Sequence, residues 1–277
     1  MSEIKLIAFD LDGTLLTTDK KITERTYKAL GEAADKGVYI VPATGRFLRT
    51  VPQEIKDMPF INYIISINGS YVVDIRTGKE IYTSEIPLAG ALDILSYFDT
   101  MPIAYDCYMG NDSFINAEMF NNITDYIEDR FYLDMVWKHR NPVPELKSHL
   151  LKENKNVQKI MAYTRDQSLR KYLMDNLGYM FKDIIVTSSI KNNIEINAFG
   201  ANKGDALRAL AEYLGLEDSQ TMAFGDSYND IPMIRAAGTG VCMQNGNDET
   251  KAAADLIAPS NDDNGVAEII EQIILEH

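Results

Sequence analysis

Short unbroken apolar runs alternate with helical periodicity at both ends of the chain, and the rhythm changes in the middle. Residues 5–9, Lys5-Leu6-Ile7-Ala8-Phe9, form a run without polar alternation. Such a run predicts a strand buried on both faces, as in a parallel sheet covered by helices. It stops at Asp10. Thr23 then stands where an N-cap belongs, Tyr27, Leu30 and Ala34 follow helical spacing, and Gly37 occupies the closing position. A second run over 38–41 leads into Pro42-Ala43-Thr44-Gly45-Arg46. The order strand, helix, strand predicts the βαβ unit of a parallel sheet. A third run over 63–67 ends at Asn68-Gly69, and two short strands flank a hairpin at 76–79.

After Ser84 the pattern mixes helical and strand stretches. Clusters such as Tyr105-Asp106-Cys107-Tyr108 and Asn121-Asn122 read as connections between them. Residues 158–163 and 184–187 predict strands, and 167–177 a helix closed by Gly178. The α/β rhythm then returns. A helix is expected over 204–214, a strand over 221–224 that ends at Gly225-Asp226, a helix carrying Ile231, Met233, Ile234 and Ala237, a strand over 241–243 and a terminal helix through Val266, Ile269 and Ile273. The expected fold is α/β: a doubly wound, mainly parallel, Rossmann-like sheet built from 1–84 and 191–277, with an α+β cap domain inserted over 85–190.

Composition narrows the function classes. With 277 residues, 45% hydrophobic and 25% charged, the chain can bury a core without staples. Its net charge of −14 argues against nucleic-acid and anionic-membrane partners, which are captured by basic faces. An anionic small substrate would then need a local cation. Cys107 and Cys242 fit no metal spacing and read as reduced core thiols, which predicts a cytoplasmic protein. The opening Met1-Ser2-Glu3 runs directly into the first strand, so no signal peptide is expected, and no apolar stretch is long enough to span a membrane.

Three of the predicted strands end in polar clusters: Asp10-Leu11-Asp12-Gly13-Thr14, Thr44-Gly45-Arg46, and Gly225-Asp226-Ser227-Tyr228-Asn229-Asp230. Open parallel sheets bind ligands at the carboxyl ends of their strands, so these clusters can converge on one point. In the first, Asp10 can attack a phosphoryl group as a carboxylate nucleophile. Asp12 can give a proton to the departing alcohol and later take one from water. An acidic surface turn of this form arises by chance in roughly one chain in several hundred. A calcium loop is excluded, because Leu15 and Lys21 stand where its glycine and glutamate are required.

The first cluster, after its apolar strand, resembles the first motif of the haloacid dehalogenase superfamily. Thr44-Gly45-Arg46 is similar to the second, Lys203-Gly204 to the third, and the 225–230 cluster to the fourth. Order and spacing resemble the Cof-type sugar-phosphatase branch, as do Asn68-Gly69-Ser70, the 240–243 stretch and Asn264-Gly265-Val266-Ala267.

The resemblance implies a Mg²⁺-dependent phosphatase that works through a phospho-aspartate on Asp10, with Asp12 as acid and base. It implies Asp10, Asp226 and the backbone carbonyl of Asp12 as metal ligands, and one divalent cation gathering positions 10, 12 and 226. Asp230 would support them through water or from behind. Leu11, Thr44, Gly45, Lys203 and Asn229 would bind phosphate, with Arg46 and Asn68 as possible substrate contacts. Arg46 reads equally as a surface ion pair, and Lys203 taken alone reads as an ordinary surface lysine. The implied partner is a small phosphorylated metabolite, a sugar phosphate first, with the cap closing over the site in a monomer or homodimer. The alternatives are a phosphotransferase and a non-catalytic phosphometabolite-binding protein; Asp12 argues against a dehalogenase, which needs no acid there.

Overall fold

The opening apolar run forms β1, Leu6–Phe9, every residue buried, in a computed structural model that describes residues 3–110, 112–188 and 191–276. Thr23 caps the helix Glu24–Asp35 by accepting from the Thr26 N–H. Gly37 follows the helix in the left-handed region, at φ 85°, and β2 runs over Tyr39–Pro42. Next, β3 (Tyr63–Ser66), β4 (Tyr71–Asp74) and β5 (Glu80–Thr83) form an antiparallel three-stranded sheet. The hairpin expected at 76–79 joins its last two strands. β3 meets the β2 region through isolated parallel bridges, Ile40 to Ile61 and Ala43 to Ile65.

The middle of the chain supplies β6 (Ala104–Met109), β7 (Asp112–Asn116), β8 (Asn141–Val143), β9 (Lys159–Tyr163), β10 (Ile184–Thr187) and β11 (Asn193–Ala198). Their order is β10-β11-β9-β6-β7-β8, antiparallel except between β7 and β8. The C-terminal part adds β12 (Thr221–Gly225), β13 (Thr239–Met243) and β14 (Leu256–Ala258). These join the first two strands in a parallel sheet ordered β14-β13-β12-β1-β2. The chain therefore separates into two units, residues 1–83 with 202–277 and residues 84–201.

In the first unit the chain winds from β1 outward to β2, then returns to lay β12, β13 and β14 on the other side. That reversal puts the switch point between β1 and β12, where doubly wound sheets bind ligands. Leu6 and Ala8 pack with Ala206, Leu207 and Leu210 of the helix Lys203–Tyr213. Both faces of β1 are buried, as its unbroken apolar run predicts.

Several elements differ from the expectations. Residues 105–108 are not a connection: they are the middle of β6, fully buried. Tyr105 and Cys107 face the apolar core of the second unit, whereas Asp106 is buried against Arg140, Oδ2 to Nε 2.8 Å, and the Tyr163 hydroxyl, 2.8 Å. A buried polar face breaks the apolar pattern by which strands are read. The helix Gln167–Met180 runs through Gly178, whose added Cβ would meet nothing within 4 Å. Neither the helix Asp248–Ala253 nor the short edge strand β14 stood out in the sequence. β11 belongs to the second unit's sheet, beyond position 190, where the insert was expected to end; that position and the opening Met1-Ser2 lie outside the described residues. Both cysteines are buried with free thiols. No described helix is long and apolar enough to cross a membrane.

Candidate active site

Asp10 follows β1 and Asp226 follows β12, and the two strands pair in parallel with Phe9 opposite Phe224. The Asp10 N–H donates to Phe224 O at 3.0 Å, and on the other side the Ala43 N–H donates to Phe9 O at 2.8 Å. Three strand ends separated by up to about two hundred residues of sequence are therefore neighbours, as expected of a parallel sheet.

The chain turns sharply after Asp10, with Leu15 N–H donating to Asp10 O (3.1 Å) and Leu16 N–H to Leu11 O (2.8 Å). Gly13 allows this turn. Its φ is 90°, and a Cβ there would stand 2.6 Å from Asp226 Oδ2, so only glycine suits both backbone and space. Thr14 Oγ1 donates to Asp226 Oδ1 at 3.0 Å, and Asn245 Nδ2 donates to Gly13 O at 2.8 Å. Neither Thr14 nor Asn245 is marked as a site residue by the sequence pattern.

Lys203 is not a surface lysine: it is fully buried. Its Nζ lies 2.5 Å from Asp10 Oδ1 and 2.6 Å from Asp230 Oδ1. The helix that carries it is capped by Asn202, whose Oδ1 accepts from the N–H groups of Gly204 and Asp205, both at 2.9 Å. Asp230 is buried completely, and its Oδ2 accepts from the N–H groups of Asp226 and Ser227, both at 3.0 Å. Three hydrogen bonds thus tie its carboxylate into the protein frame.

Asp10, Asp226 and Asp230 each present a carboxylate oxygen within 4.8 Å of the others. This all-oxygen, hard donor set fits a Mg²⁺ ion. Asp230 already serves Lys203 and two backbone N–H groups, so Asp10 and Asp226 are the better direct ligands. The Asp12 side chain does not belong to this trio. Its Oδ2 accepts from Arg46 Nε (2.8 Å), and its Oδ1 from Arg46 Nη2 (2.8 Å) and Lys20 Nζ (2.9 Å). Arg46 is thus an ion-pair partner, and Lys20 is a site neighbour the sequence reading passed over.

The electrostatics separate these acids. Burial pushes the Asp10 carboxyl up, Asp230 and Asp226 add repulsion, and Lys203 only partly compensates, leaving it at about 7. Burial and then the nearby Asp230 raise Asp226 to about 6, against the Thr14 hydrogen bond. Burial also pushes Asp12 up, but the Arg46 and Lys20 bonds outweigh it and hold that carboxyl below its usual range. Lys203 goes the other way: burial disfavours its charge, yet Asp10 and Asp230 raise its pKa above the ordinary lysine value.

The second cluster is tied to the same frame. Thr44 is buried, and its Oγ1 accepts from the Arg46 N–H at 3.2 Å. The Asn68 N–H donates to Thr44 O at 3.0 Å. Ile67, Asn68 and Gly69 are consecutive residues at positive φ, 52°, 54° and 96°, a conformation held at a cost in free energy. A Cβ on Gly69 would stand 2.2 Å from Asn202 O, and one on Gly45 2.7 Å from Asn68 Oδ1. Asn229 Nδ2 donates to Asn68 Oδ1 at 3.0 Å. Gly45, Asn68, Asn229 and the start of the Lys203 helix are thereby drawn together. The Leu11 side chain is fully buried, so any contact it makes with phosphate is through its backbone.

A model of the haloacid dehalogenase-like hydrolases matches residues 7–270. The chain is 33% identical over 273 residues to the 5-amino-6-(5-phospho-D-ribitylamino)uracil phosphatase YcsE of Bacillus subtilis, an alignment covering 99% of this chain and 97% of that one. It is 29% identical over 297 residues to the phosphatase YwpJ of the same organism, covering 98% and 100%. A solved haloacid dehalogenase-like hydrolase from Bacteroides thetaiotaomicron superposes with a TM-score of 0.82 at 27% identity, covering 98% of this chain and 100% of that one.

Proposed function

The chain belongs to the haloacid dehalogenase-like hydrolase family, in its Cof-type branch, and is a phosphatase; from that premise we propose that it hydrolyses small phosphate monoesters, sugar phosphates first, by way of a phosphoryl group held on Asp10. One observation carries the reading. Asp10 is at once the residue directly after β1, the partner of a fully buried Lys203 at 2.5 Å and a member of the three-carboxylate cluster. The Bacillus subtilis relative YcsE acts on a phosphorylated ribityl chain, which supports a polyol or sugar phosphate here.

In the first step an Asp10 carboxylate oxygen attacks phosphorus. With Oδ1 on Lys203, Oδ2 would make the new bond. The phosphorus–oxygen bond to the leaving group breaks as it forms, and Asp12 gives the departing alcohol its proton. In the second step a water oxygen attacks phosphorus, the bond to Asp10 breaks, and Asp12 takes the water's proton as inorganic phosphate leaves. Arg46 and Lys20 hold Asp12 in the ionised form that the second step needs. Proton donation in the first step returns Asp12 to that same ionised form, so the two cations favour the transfer once Asp12 carries the proton.

Asp10, Asp226 and the Asp12 backbone carbonyl would hold Mg²⁺, with Asp230 orienting the set from behind. When bound, the ion supplies charge neutralisation between these acids and the phosphate. Lys203 Nζ, the Thr44 hydroxyl, the Gly45 and Leu11 N–H groups and Asn229 Nδ2 would donate to phosphate oxygens, a preorganised set aimed at developing charge. The test is turnover of 4-nitrophenyl phosphate and a panel of sugar phosphates with Mg²⁺ and with EDTA. Hydrolysis that persists under thorough chelation, or an Asp10→Asn variant of near-parental activity, sinks the reading.

A further inference from the structure

We propose that Lys20 is a positioning residue for Asp12, holding its carboxylate in one orientation together with Arg46. This rests on the reading of Asp12 as the acid and base of hydrolysis. Three N–H bonds grip the carboxylate: Arg46 Nε to Oδ2 and Nη2 to Oδ1, both at 2.8 Å, and Lys20 Nζ to Oδ1 at 2.9 Å. Arg46 reaches it from beyond the end of β2, and Lys20 from the loop that follows the turn at Gly13, so the group is held from two separate segments.

An exposed lysine beside a carboxylate is by itself a weak interaction. The loop that delivers Lys20 is built more firmly than such a pair needs. Thr17 N–H donates to Lys21 O at 2.9 Å and Lys20 N–H to Thr17 O at 2.8 Å, and Lys20 takes a left-handed φ of 61°. That conformation is unfavourable for a residue with a Cβ and persists only where surrounding contacts over-determine it. Those contacts come from one distant segment. Thr18 donates to Asp262 through both its N–H and its hydroxyl, each at 2.7 Å. Asn261 Nδ2 donates to Leu16 O at 2.8 Å, and Thr23 Oγ1 meets Asn264 Oδ1 at 2.5 Å. The loop is tied at its start, its middle and its end, and its strained residue is the one that points its ammonium at Asp12.

A general acid must lie within hydrogen-bond reach of the oxygen it protonates, and a carboxyl free to turn loses that alignment. The loss falls hardest on alcohols that leave only with a proton, and least on 4-nitrophenolate, which leaves as an anion. The experiment measures kcat/KM with Mg²⁺ for 4-nitrophenyl phosphate and for an alkyl ester, glycerol 3-phosphate, in the wild type, Lys20→Met, Lys20→Arg, Asp262→Ala and Asp12→Asn.

Lys20→Met is expected to lower alkyl-ester kcat/KM at least about tenfold more than aryl-ester kcat/KM, and Lys20→Arg to recover most of that difference. Asp262→Ala, which loosens the loop and leaves Lys20 in place, is expected to move the ratio in the same direction by less. Equal loss on both esters, no loss, or a gain on the alkyl ester in Lys20→Met overturns the role of Lys20. An unchanged ratio in Asp12→Asn overturns the acid role of Asp12, and this proposal with it.

Discussion

Lys203 and Asp230 are both completely buried, and their Nζ and Oδ1 atoms lie 2.6 Å apart. The pair sits beneath Asp10, which the same ammonium meets at 2.5 Å. Taking two carboxylates and one ammonium out of water carries a desolvation cost that their mutual attraction offsets only with good geometry. Lys203→Met therefore removes the counter-charge of two acids at once. It is expected to destabilise the fold by about 3–5 kcal/mol and to abolish turnover, measured by urea unfolding beside the phosphatase assay. A stable variant with wild-type activity would contradict both the burial and the role.

Asp10→Asn keeps the shape and the Lys203–Asp230 pair but removes the attacking carboxylate. The expected outcome is loss of more than about a thousandfold in kcat with an unfolding midpoint close to that of the parent.

Stability should depend on pH through the raised carboxyls. A folded-state pKa above the unfolded value means the folded protein binds the proton more tightly. The contribution is fully present below the unfolded value of 3.8 and is lost as pH rises through about 7 for Asp10 and about 6 for Asp226. Chelated protein is expected to lose thermal stability between pH 5 and pH 8 relative to its Asp226→Asn variant. Mg²⁺ should raise the melting temperature more at pH 8 than at pH 5, because it binds the ionised carboxylates. A pH-independent difference between the two chelated proteins would remove the electrostatic account.

Gly13→Ala puts a methyl group 2.6 Å from Asp226 Oδ2 at a φ of 90°. Both faults act on the same turn. The variant is expected to lose about 1–3 kcal/mol of stability and most of its activity. Its Mg²⁺ affinity, read by titration calorimetry, should fall as Asp226 is displaced.

In the second unit, Arg140→Met leaves Asp106 buried with the Tyr163 hydroxyl but without its ion-pair partner, now bonded at 2.8 Å. It should cost about 3–5 kcal/mol in urea unfolding, whereas replacing both residues, Asp106→Leu with Arg140→Met, should recover much of that loss. An equal cost in the double variant would assign the stability to packing rather than to charge.

That buried pair also explains why one strand of the second unit is not legible in the sequence. The strands of the parallel sheet were legible because burial on both faces demands uninterrupted apolar side chains, and β1, β2 and β12 supply them. The Asp10 turn was legible too, since two carboxylates and a glycine crowd into five positions after a strand. β6 is not legible because one of its faces buries Asp106, whose partners Arg140 and Tyr163 lie 34 and 57 residues away, beside Tyr108. No local pattern announces a charge that is compensated at such a distance. Asn202 stood at a readable N-cap position, but its service to Lys203 did not show.

What the sequence by itself determined is the set of strand ends and the acids placed on them, because periodicity and strand–turn spacing are local properties of the chain. The tertiary structure alone decided which charges meet. It buried Lys203 between Asp10 and Asp230, turned the Asp12 carboxylate toward Arg46 and Lys20, and made Asp230 the third side chain of the acidic cluster. Electrostatic energy depends on separation and solvent exposure in space, and residues far apart in sequence acquire both only when the sheet is assembled.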